Sequence, residues 1–319
     1  MRILFVKTSS LGDVIHHCPA VSDAAREVPG AEIDWVVEDV FAPIVAMHRA
    51  VGRIIPVAVR RWRRAPWKPS VREEFRAFRA LLAAQPYDCI VDTQGLLKSA
   101  LISRLARGER HGYDKGSARE PFVARLYASR HPVPRRLHAV ERNRLLTAAA
   151  LGYKVETPCD YGLRVPEAPP ADVGIAVPYC VLLTMSSRAA KLWPEQDWIA
   201  LGGKLAAQGV RSVLPWGSDA ERVRCARIGA AIAGGGAIVP PRMAIEQLAA
   251  LMARARAVVG VDTGLSHLAV ALGAPVLGIY CATDPGLTGL YGSPRARNLG
   301  GVRASPTWQE VWAALDAIA

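Results

Sequence analysis

Residues 257–280 read AVVGVDTGLSHLAVALGAPVLGIY, and the fold is legible in their order. Residues 257–261 are a short apolar run, followed by three small or polar residues, Asp262, Thr263 and Gly264. Leu265, Leu268, Ala269 and Leu272 then recur at i, i+3, i+4 and i+7, the period of a helix with one buried face. Gly273 and Pro275 end that helix, and 276–280 reads as the next strand. A strand, a tight turn, a helix and a strand make a βαβ unit. Its turn aims free backbone N–H groups, at the positive end of a helix dipole, past the sheet edge, which suits a phosphate. Asp262 reads equally as a helix cap or as a site residue. His267, five positions on across the glycine turn, favours a site.

The same alternation extends in both directions. Strands are expected at 2–6, 32–38, 53–57 and 88–95, with a first helix carrying Val14, Cys18, Val21, Ala25 and Val28 on one face. Helices are expected at 40–48, 70–84 and 138–151, with Lys98 in the first turn of another. The segments 60–70 (RRWRRAPWKPS) and 108–121 (GERHGYDKGSAREP) have no clean period and read as basic loops. Five prolines between 156 and 178 mark a linker. After it come strands at 180–185, 210–215 and 237–239, and helices at 195–207, 219–232 and 244–253. Thr307 and Glu310 form a capping box ahead of Val311, Leu315 and Ile318, a final helix. A chain of 319 residues exceeds one ordinary core. The expected class is therefore α/β, with two doubly wound parallel-sheet domains. The boundaries read as 1–165 and 172–302, with 303–319 as a closing helix. Ligands of such sheets lie outside the carboxyl ends of the strands.

Composition narrows the function. No run of 18 apolar residues exists and the N-terminus lacks the features of a signal peptide, so a cytoplasmic protein is expected. The six cysteines form no CxxC pair or Cys/His ligand spacing, which argues for reduced thiols and against structural zinc. The formal charge is +12 and is concentrated in the N-terminal half. Residues 104–144 alone hold eleven Lys or Arg against four acids. Such a face implies an anionic partner: nucleic acid, membrane surface or phosphorylated substrate. No GxxxxGK[ST] loop, no GxGxxG after the first strand and no GxSxG elbow occurs, which disfavours P-loop hydrolysis, nicotinamide chemistry and α/β-hydrolase chemistry.

Four turns carry the candidate chemistry: 8–13, 186–191, 216–221 and 262–267. Ser186, Ser187 and Lys191 read either as a plain turn or as two hydroxyls and an ammonium at a helix entrance suited to a diphosphate. Asp13 reads either as a helix-start carboxylate or as a general base within reach of an attacking hydroxyl. His16, His17 and His267 read as surface or satisfied core histidines.

Taken together the chain resembles the bacterial lipopolysaccharide heptosyltransferases nearly end to end. The resemblance rests on VKTSSLGDVIH (6–16), DWVVE (34–38), IPVAVRRWR (55–63), VDTQGLLKSA (91–100), HAVER (138–142), KLWPEQDW (191–198), LPWGS (214–218), VDTGLSHL (261–268) and TDPGLTGLYG (283–292). The RRWRR loop and HGYDKGSAREP are similar to the type I members, which add the first heptose to the first Kdo of Kdo2-lipid A in the lipopolysaccharide inner core. The resemblance implies a GT-B fold, with acceptor on the N-terminal domain, nucleotide sugar on the C-terminal one, and the last helix crossing back to the first domain. It implies ADP-L-glycero-β-D-manno-heptose as co-substrate, no cofactor and no metal, inversion at the anomeric carbon, and a peripheral place on the cytoplasmic face of the inner membrane. Carried over residue by residue, Asp13 and Lys191 are catalytic. Ser186, Ser187, Lys191, Glu221, Met243, Asp262, Thr263, Gly264, Leu265 and His267 bind the donor. Ser9, Ser10, Gly12, Arg60, Arg61, Arg63, Arg64, Lys98 and Arg119 meet the acceptor. The chain departs from the family at Ser186, Ser187, Ala189 and Ala190, where two threonines and two acids are usual. It departs again at Cys281 and Ala282, within a loop that usually reads YGPTDP. The competing readings are a type II heptosyltransferase, a GT-B sugar-nucleotide epimerase, and a basic nucleic-acid-binding protein, for which no module signature occurs.

Overall fold

The computed structural model describes residues 1–167 and 178–318. They form two compact units, Met1–Leu163 and Arg164–Ala319. The first holds strands β1 (Arg2–Val6), β2 (Glu32–Glu38), β3 (Arg53–Val57), β4 (Tyr87–Asp92), β5 (Gly108–Tyr113) and β6 (Ser129–His131). They pair in parallel in the order β3-β2-β1-β4-β5-β6. The second unit holds β7 (Tyr179–Leu183), β8 (Arg211–Val213), β9 (Ala237–Ile238), β10 (Ala257–Val261), β11 (Val276–Tyr280) and β12 (Ala296–Gly300). Its order, β12-β11-β10-β7-β8-β9, is again parallel throughout. Counted from its own first strand, each sheet runs 3-2-1-4-5-6, the doubly wound order. The chain reverses direction between β1 and β4 in one unit and between β7 and β10 in the other. The crevice outside the carboxyl ends of those strand pairs is where such folds bind ligands.

The strands that flank each reversal are buried on both faces, so they read as continuous apolar runs. Ile3 to Val6 and Val258, Val259 and Val261 are fully buried. In the second unit Trp193 and Trp198, also fully buried, meet edge-to-face at 4.9 Å beneath that sheet. Burying each such large side chain contributes on the order of 2–3 kcal/mol. Gly260 is needed at the reversal, because a Cβ there would stand 2.3 Å from Ser266 Oγ. That hydroxyl donates to the Val261 carbonyl and pins the helix Gly264–Ala271 onto β10.

Several sequence expectations need correction. The first helix is broken into Leu11–Ile15 and Cys18–Glu27, because the ring of Pro19 cannot follow the Ile15 carbonyl in one continuous helix. The 60–70 loop begins inside a short helix, Val59–Trp62, and ends where the helix Pro69–Ala83 starts. The first six residues of the 108–121 loop are strand β5. The linker expected at 156–178 lies partly outside the described residues, as does a second-domain start at 172; residues 156–167 hold no helix or strand. The final helix, Trp308–Asp316, was expected to cross back to the first domain. Its apolar face packs in the second unit's core, where Val311 and Leu315, with Ile318 just beyond its end, pack with Trp198 and Leu201.

Candidate active-site clusters

In the first unit three strand ends supply one cluster. The chain leaves β1 through Lys7 and Thr8, whose hydroxyl donates 2.9 Å to Gln94 Oε1. Gln94 also accepts from the Thr8 amide and donates to the Ser9 carbonyl at 2.7 Å, which fixes the turn. Gln94 is held in its turn by Asp92, whose Oδ1 accepts the Gln94 and Gly95 amides. Gly95 has φ +64°, and a Cβ there would press on Tyr113 and the Arg119 backbone, which places Arg119 beside this turn. Ser10 starts the helix Leu11–Ile15, which carries Gly12, and donates to Asp13 Oδ2 from both its amide (2.8 Å) and its hydroxyl (3.0 Å). Both donors fall on the same oxygen, so the other carboxylate oxygen remains for a ligand hydroxyl. Asp13 is thus a helix-start residue and a candidate base at once.

Lys98, in the first turn of the helix Leu97–Ser103, reaches Ser9 Oγ at 2.6 Å. Burial lowers its affinity for the proton, with Glu38 and Asp13 opposing that effect and Arg60 and Arg63 adding to it. Five charged groups from four strand ends therefore feel one another. Glu38 is buried and accepts the Arg60 amide at 2.8 Å, which anchors the helix Val59–Trp62. Arg60, Arg63 and Arg64 are exposed. Arg61 is engaged, with Glu74 at 2.5 Å and Asp39 at 3.1 Å.

In the second unit Asp262 is the centre. The N-cap position of the following helix belongs to Thr263, not to Asp262. Its Oδ2 instead takes Lys191 Nζ at 2.6 Å and the Thr283 hydroxyl at 2.6 Å, while His267 Nε2 stands 3.9 Å from Oδ1. Burial would raise this carboxyl, but its hydrogen-bonding neighbours His267, Lys191 and Thr283, with the lysine charge, hold it well below the usual range. Ser186 Oγ donates to the Asp262 carbonyl at 3.0 Å and so ties the 186–191 turn to the reversal. Beside this cluster lies a cavity of about 280 Å³, lined among others by Ser186, Ser187, Glu221, Met243, Thr263 and Leu265. Gly264 opens the helix behind it, and its first turn presents free amides.

The chain was compared with known proteins. The family model for glycosyltransferase family 9 (heptosyltransferase) matches residues 75–311. The chain belongs to this family. Lipopolysaccharide heptosyltransferase 1 of Escherichia coli K12 is 47% identical over 296 residues, covering 92% of this chain and 91% of that one. The solved structure of E. coli heptosyltransferase WaaC with ADP superposes with a TM-score of 0.92 at 42% identity, covering all of both chains. That of WaaC with ADP-2-deoxy-2-fluoro heptose gives 0.89 at the same identity and coverage. The protein is a glycosyltransferase, and its paired six-stranded sheets are those of the GT-B fold that the resemblance implied.

Within this family frame, the structure gathers six of the expected donor residues around one cavity and three more, Lys191, Asp262 and His267, into the adjoining ion cluster. Sequence reading passed over Gln94, Glu38, Thr283 and Arg242, and named Trp216 only as the start of the 216–221 turn. The last two line the cavity, and Trp216 Nε1 donates 2.7 Å to the Pro240 carbonyl, which holds the turn bearing Met243. His16 and His17 are buried rather than superficial, with the His17 ring edge-on to both Phe5 and Trp35. Among the described residues no helix is long and apolar enough to cross a membrane.

Proposed function

We propose that the protein moves L-glycero-D-manno-heptose from ADP-L-glycero-β-D-manno-heptose to the first Kdo of Kdo2-lipid A, with inversion at the anomeric carbon. The observation that carries this reading is the Lys191–Asp262–Thr283 cluster set against the 280 Å³ cavity. The cavity offers an apolar wall (Met243, Leu265) for a base and a carboxylate (Glu221) for ribose hydroxyls. At its other end Ser186, Ser187, Lys191 and the amides after Asp262 suit a diphosphate. Likeness to a structure solved with ADP supports the same assignment.

The chemistry is a displacement in line. The Kdo hydroxyl attacks the anomeric carbon as Asp13 takes its proton. The bond from that carbon to the diphosphate oxygen breaks, and its electron pair leaves on ADP. Lys191 and the helix amides oppose the charge that develops there, a role divalent cations fill in other transferases. The acceptor carries phosphates and carboxylates, and the exposed Arg60, Arg63, Arg64 and Arg119, with the half-buried Lys98, are its complement. The same cations suit a peripheral station on the anionic cytoplasmic face of the inner membrane.

The test is turnover of ADP-heptose with Kdo2-lipid A by Asp13→Ala. Loss of a positioned general base costs about 10²–10⁴ in kcat. ADP affinity should be unchanged, because Asp13 belongs to the first unit and the nucleotide cavity to the second. Full turnover in that variant overturns the assignment of the base.

A further inference from the structure

The first unit has a cavity of its own, apolar where the adjoining cluster that holds Asp13 is polar. It measures about 400 Å³, and its walls are Val57, Trp62, Val71, Phe75, Phe78, Leu101 and Ile102. Trp62 forms one side, edge-to-face with Phe75 at 5.7 Å and Phe78 at 5.6 Å, its indole N–H held by Glu74 at 2.7 Å. The groove is open. Phe75 is 38% and Leu101 50% exposed, and the large side chains of Leu97 and Trp67, beside it in sequence, are exposed as well. A chain that buries its other core residues this thoroughly leaves such a concave apolar surface where something covers it.

The rim identifies the occupant. Arg63, Arg72 and Lys98 border the groove, and Glu74, which holds the Trp62 indole, is already paired with Arg61. Three cations around an apolar trough complement an amphiphile with an anionic head and a hydrocarbon tail. An apolar peptide segment would gain nothing from that rim. Lys98 also fixes direction, because its ammonium bonds Ser9 Oγ at 2.6 Å, next to Ser10, which orients Asp13. One end of the groove is therefore continuous with the carboxylate that would act on a sugar hydroxyl. A ligand whose sugar lies at Asp13 and whose phosphate lies near Lys98 and Arg63 has its acyl chain at the mouth of this groove.

We propose that the groove between the helices Val59–Trp62, Pro69–Ala83 and Leu97–Ser103 binds an acyl chain of the glycolipid acceptor, drawn out of the bilayer while heptose is transferred. This rests on the acceptor assignment above and extends it from the sugar to the lipid. The groove acts on acceptor affinity and contributes nothing to the bond-making step.

The experiment compares two acceptors at saturating ADP-heptose: Kdo2-lipid A in detergent micelles, and the same phosphorylated Kdo2-disaccharide stripped of its acyl chains. Wild-type protein should show an acceptor KM at least about tenfold lower for the acylated compound, since burying even two methylenes is worth that factor. Leu101→Glu places a charge on the exposed wall, where it need not disturb folding. It should raise KM for the acylated acceptor toward the acyl-free value, with kcat and the acyl-free KM unchanged. Phe75→Glu, on the opposite wall, should do the same. Equal KM values for the two acceptors in wild type, or no response of the acylated acceptor to either variant, overturns the groove while heptose transfer stands. Turnover of neither acceptor fails the acceptor assignment itself and takes the groove's occupant with it. Anionic phospholipid vesicles free of acceptor that inhibit the acylated and acyl-free reactions alike, through the same residues, would give the groove to bulk lipid and overturn the proposal.

Discussion

Replacing Lys7 with methionine should change how the stability of the first unit depends on pH. Lys7 leaves β1 toward the Asp13 cluster and is only 6% exposed. Its ammonium donates to the Thr93 carbonyl at 2.9 Å and to Asn143 Oδ1 at 3.4 Å. Burial lowers it from the ordinary 10.5 to about 8, with the charges of Asp13 and Asp92 opposing that effect only in part. Below about pH 8 the lysine is charged in both the folded and the unfolded chain, and folding carries the full cost of burying the charge. Between about 8 and 10.5 the unfolded chain binds more protons than the folded one, so stability rises with pH. Above 10.5 the cost is gone. A tenfold change in proton affinity is about 1.4 kcal/mol. The interval from 10.5 to about 8 therefore corresponds to roughly 3 kcal/mol of relief. Methionine does not titrate. The difference in unfolding free energy, wild type minus Lys7→Met, should climb by about 3 kcal/mol from pH 7 to pH 11. The hydrogen bonds lost to Thr93 and Asn143 offset the two curves by a constant of roughly 1–3 kcal/mol and leave the slope alone. Tyrosines and cysteines common to both proteins cancel. Urea unfolding under reductant at half-unit pH steps measures the slope. A flat difference would mean that Lys7 holds its proton as a free lysine does, and that water reaches it.

Three shorter predictions concern the clusters. Thr283→Val removes one of the two close donors on Asp262 Oδ2 and leaves that oxygen to Lys191 alone, so donor KM should rise about tenfold with a smaller change in kcat, and Thr283→Ser should restore it. Asp262→Asn should destabilise the second unit at neutral pH. The Asp262 carboxyl is held below its usual range, so its contribution is present above about pH 4 and fades as the pH falls further, and the melting temperatures of the variant and wild type should converge in acid. Arg61→Ala should leave acceptor KM nearly unchanged, because Glu74 and Asp39 already engage that guanidinium. The combined Arg60, Arg63 and Arg64 alanine variant should raise acceptor KM by an order of magnitude and flatten its dependence on salt.

The sequence announced the buried parallel strands well, because β1, β10 and β11 are continuous apolar runs that nothing but a covered sheet tolerates. It concealed β5, and the reason is visible in its residues. GERHGY has little apolar content of its own, and its covering is lent by the Tyr127 ring, which lies where a Cβ on Gly112 would be. Edge strands β6 and β12, SRH and ARNLG, carry no pattern because one side of each has no strand to meet. The final helix was legible as a helix, and an amphipathic period states that a face is buried without stating against what. At the two clusters, the residues proposed to meet a ligand lie in turns that the sequence singles out. The residues that hold them are not marked out in this way. Gln94, Glu38 and Thr283 bond to partners 86, 22 and 21 positions away in the chain, and no local spacing encodes such a partner.

Both units use the same reversal of a doubly wound sheet, yet they equip it in opposite ways, and the contrast bears on the mechanism. The first unit leaves Arg60, Arg63 and Arg64 in solvent, where a polyanion can collect them at little desolvation cost. The second keeps its principal cation, Lys191, largely buried and already bonded to Asp262. A buried ammonium without a partner would be costly, and one bonded to a permanent partner would be useless to a donor. A carboxylate steadied by Thr283 and His267 resolves this, because it can release the lysine without itself becoming unpaired. On the proposed reading the diphosphate takes Lys191, and Asp262 keeps its charge through the other two. A fixed negative charge then faces the sugar, whose anomeric carbon turns cationic as the bond to ADP stretches. The resting ion pair thereby holds ready both stabilising charges of the transition state, the positive one for the leaving group and the negative one for the ring.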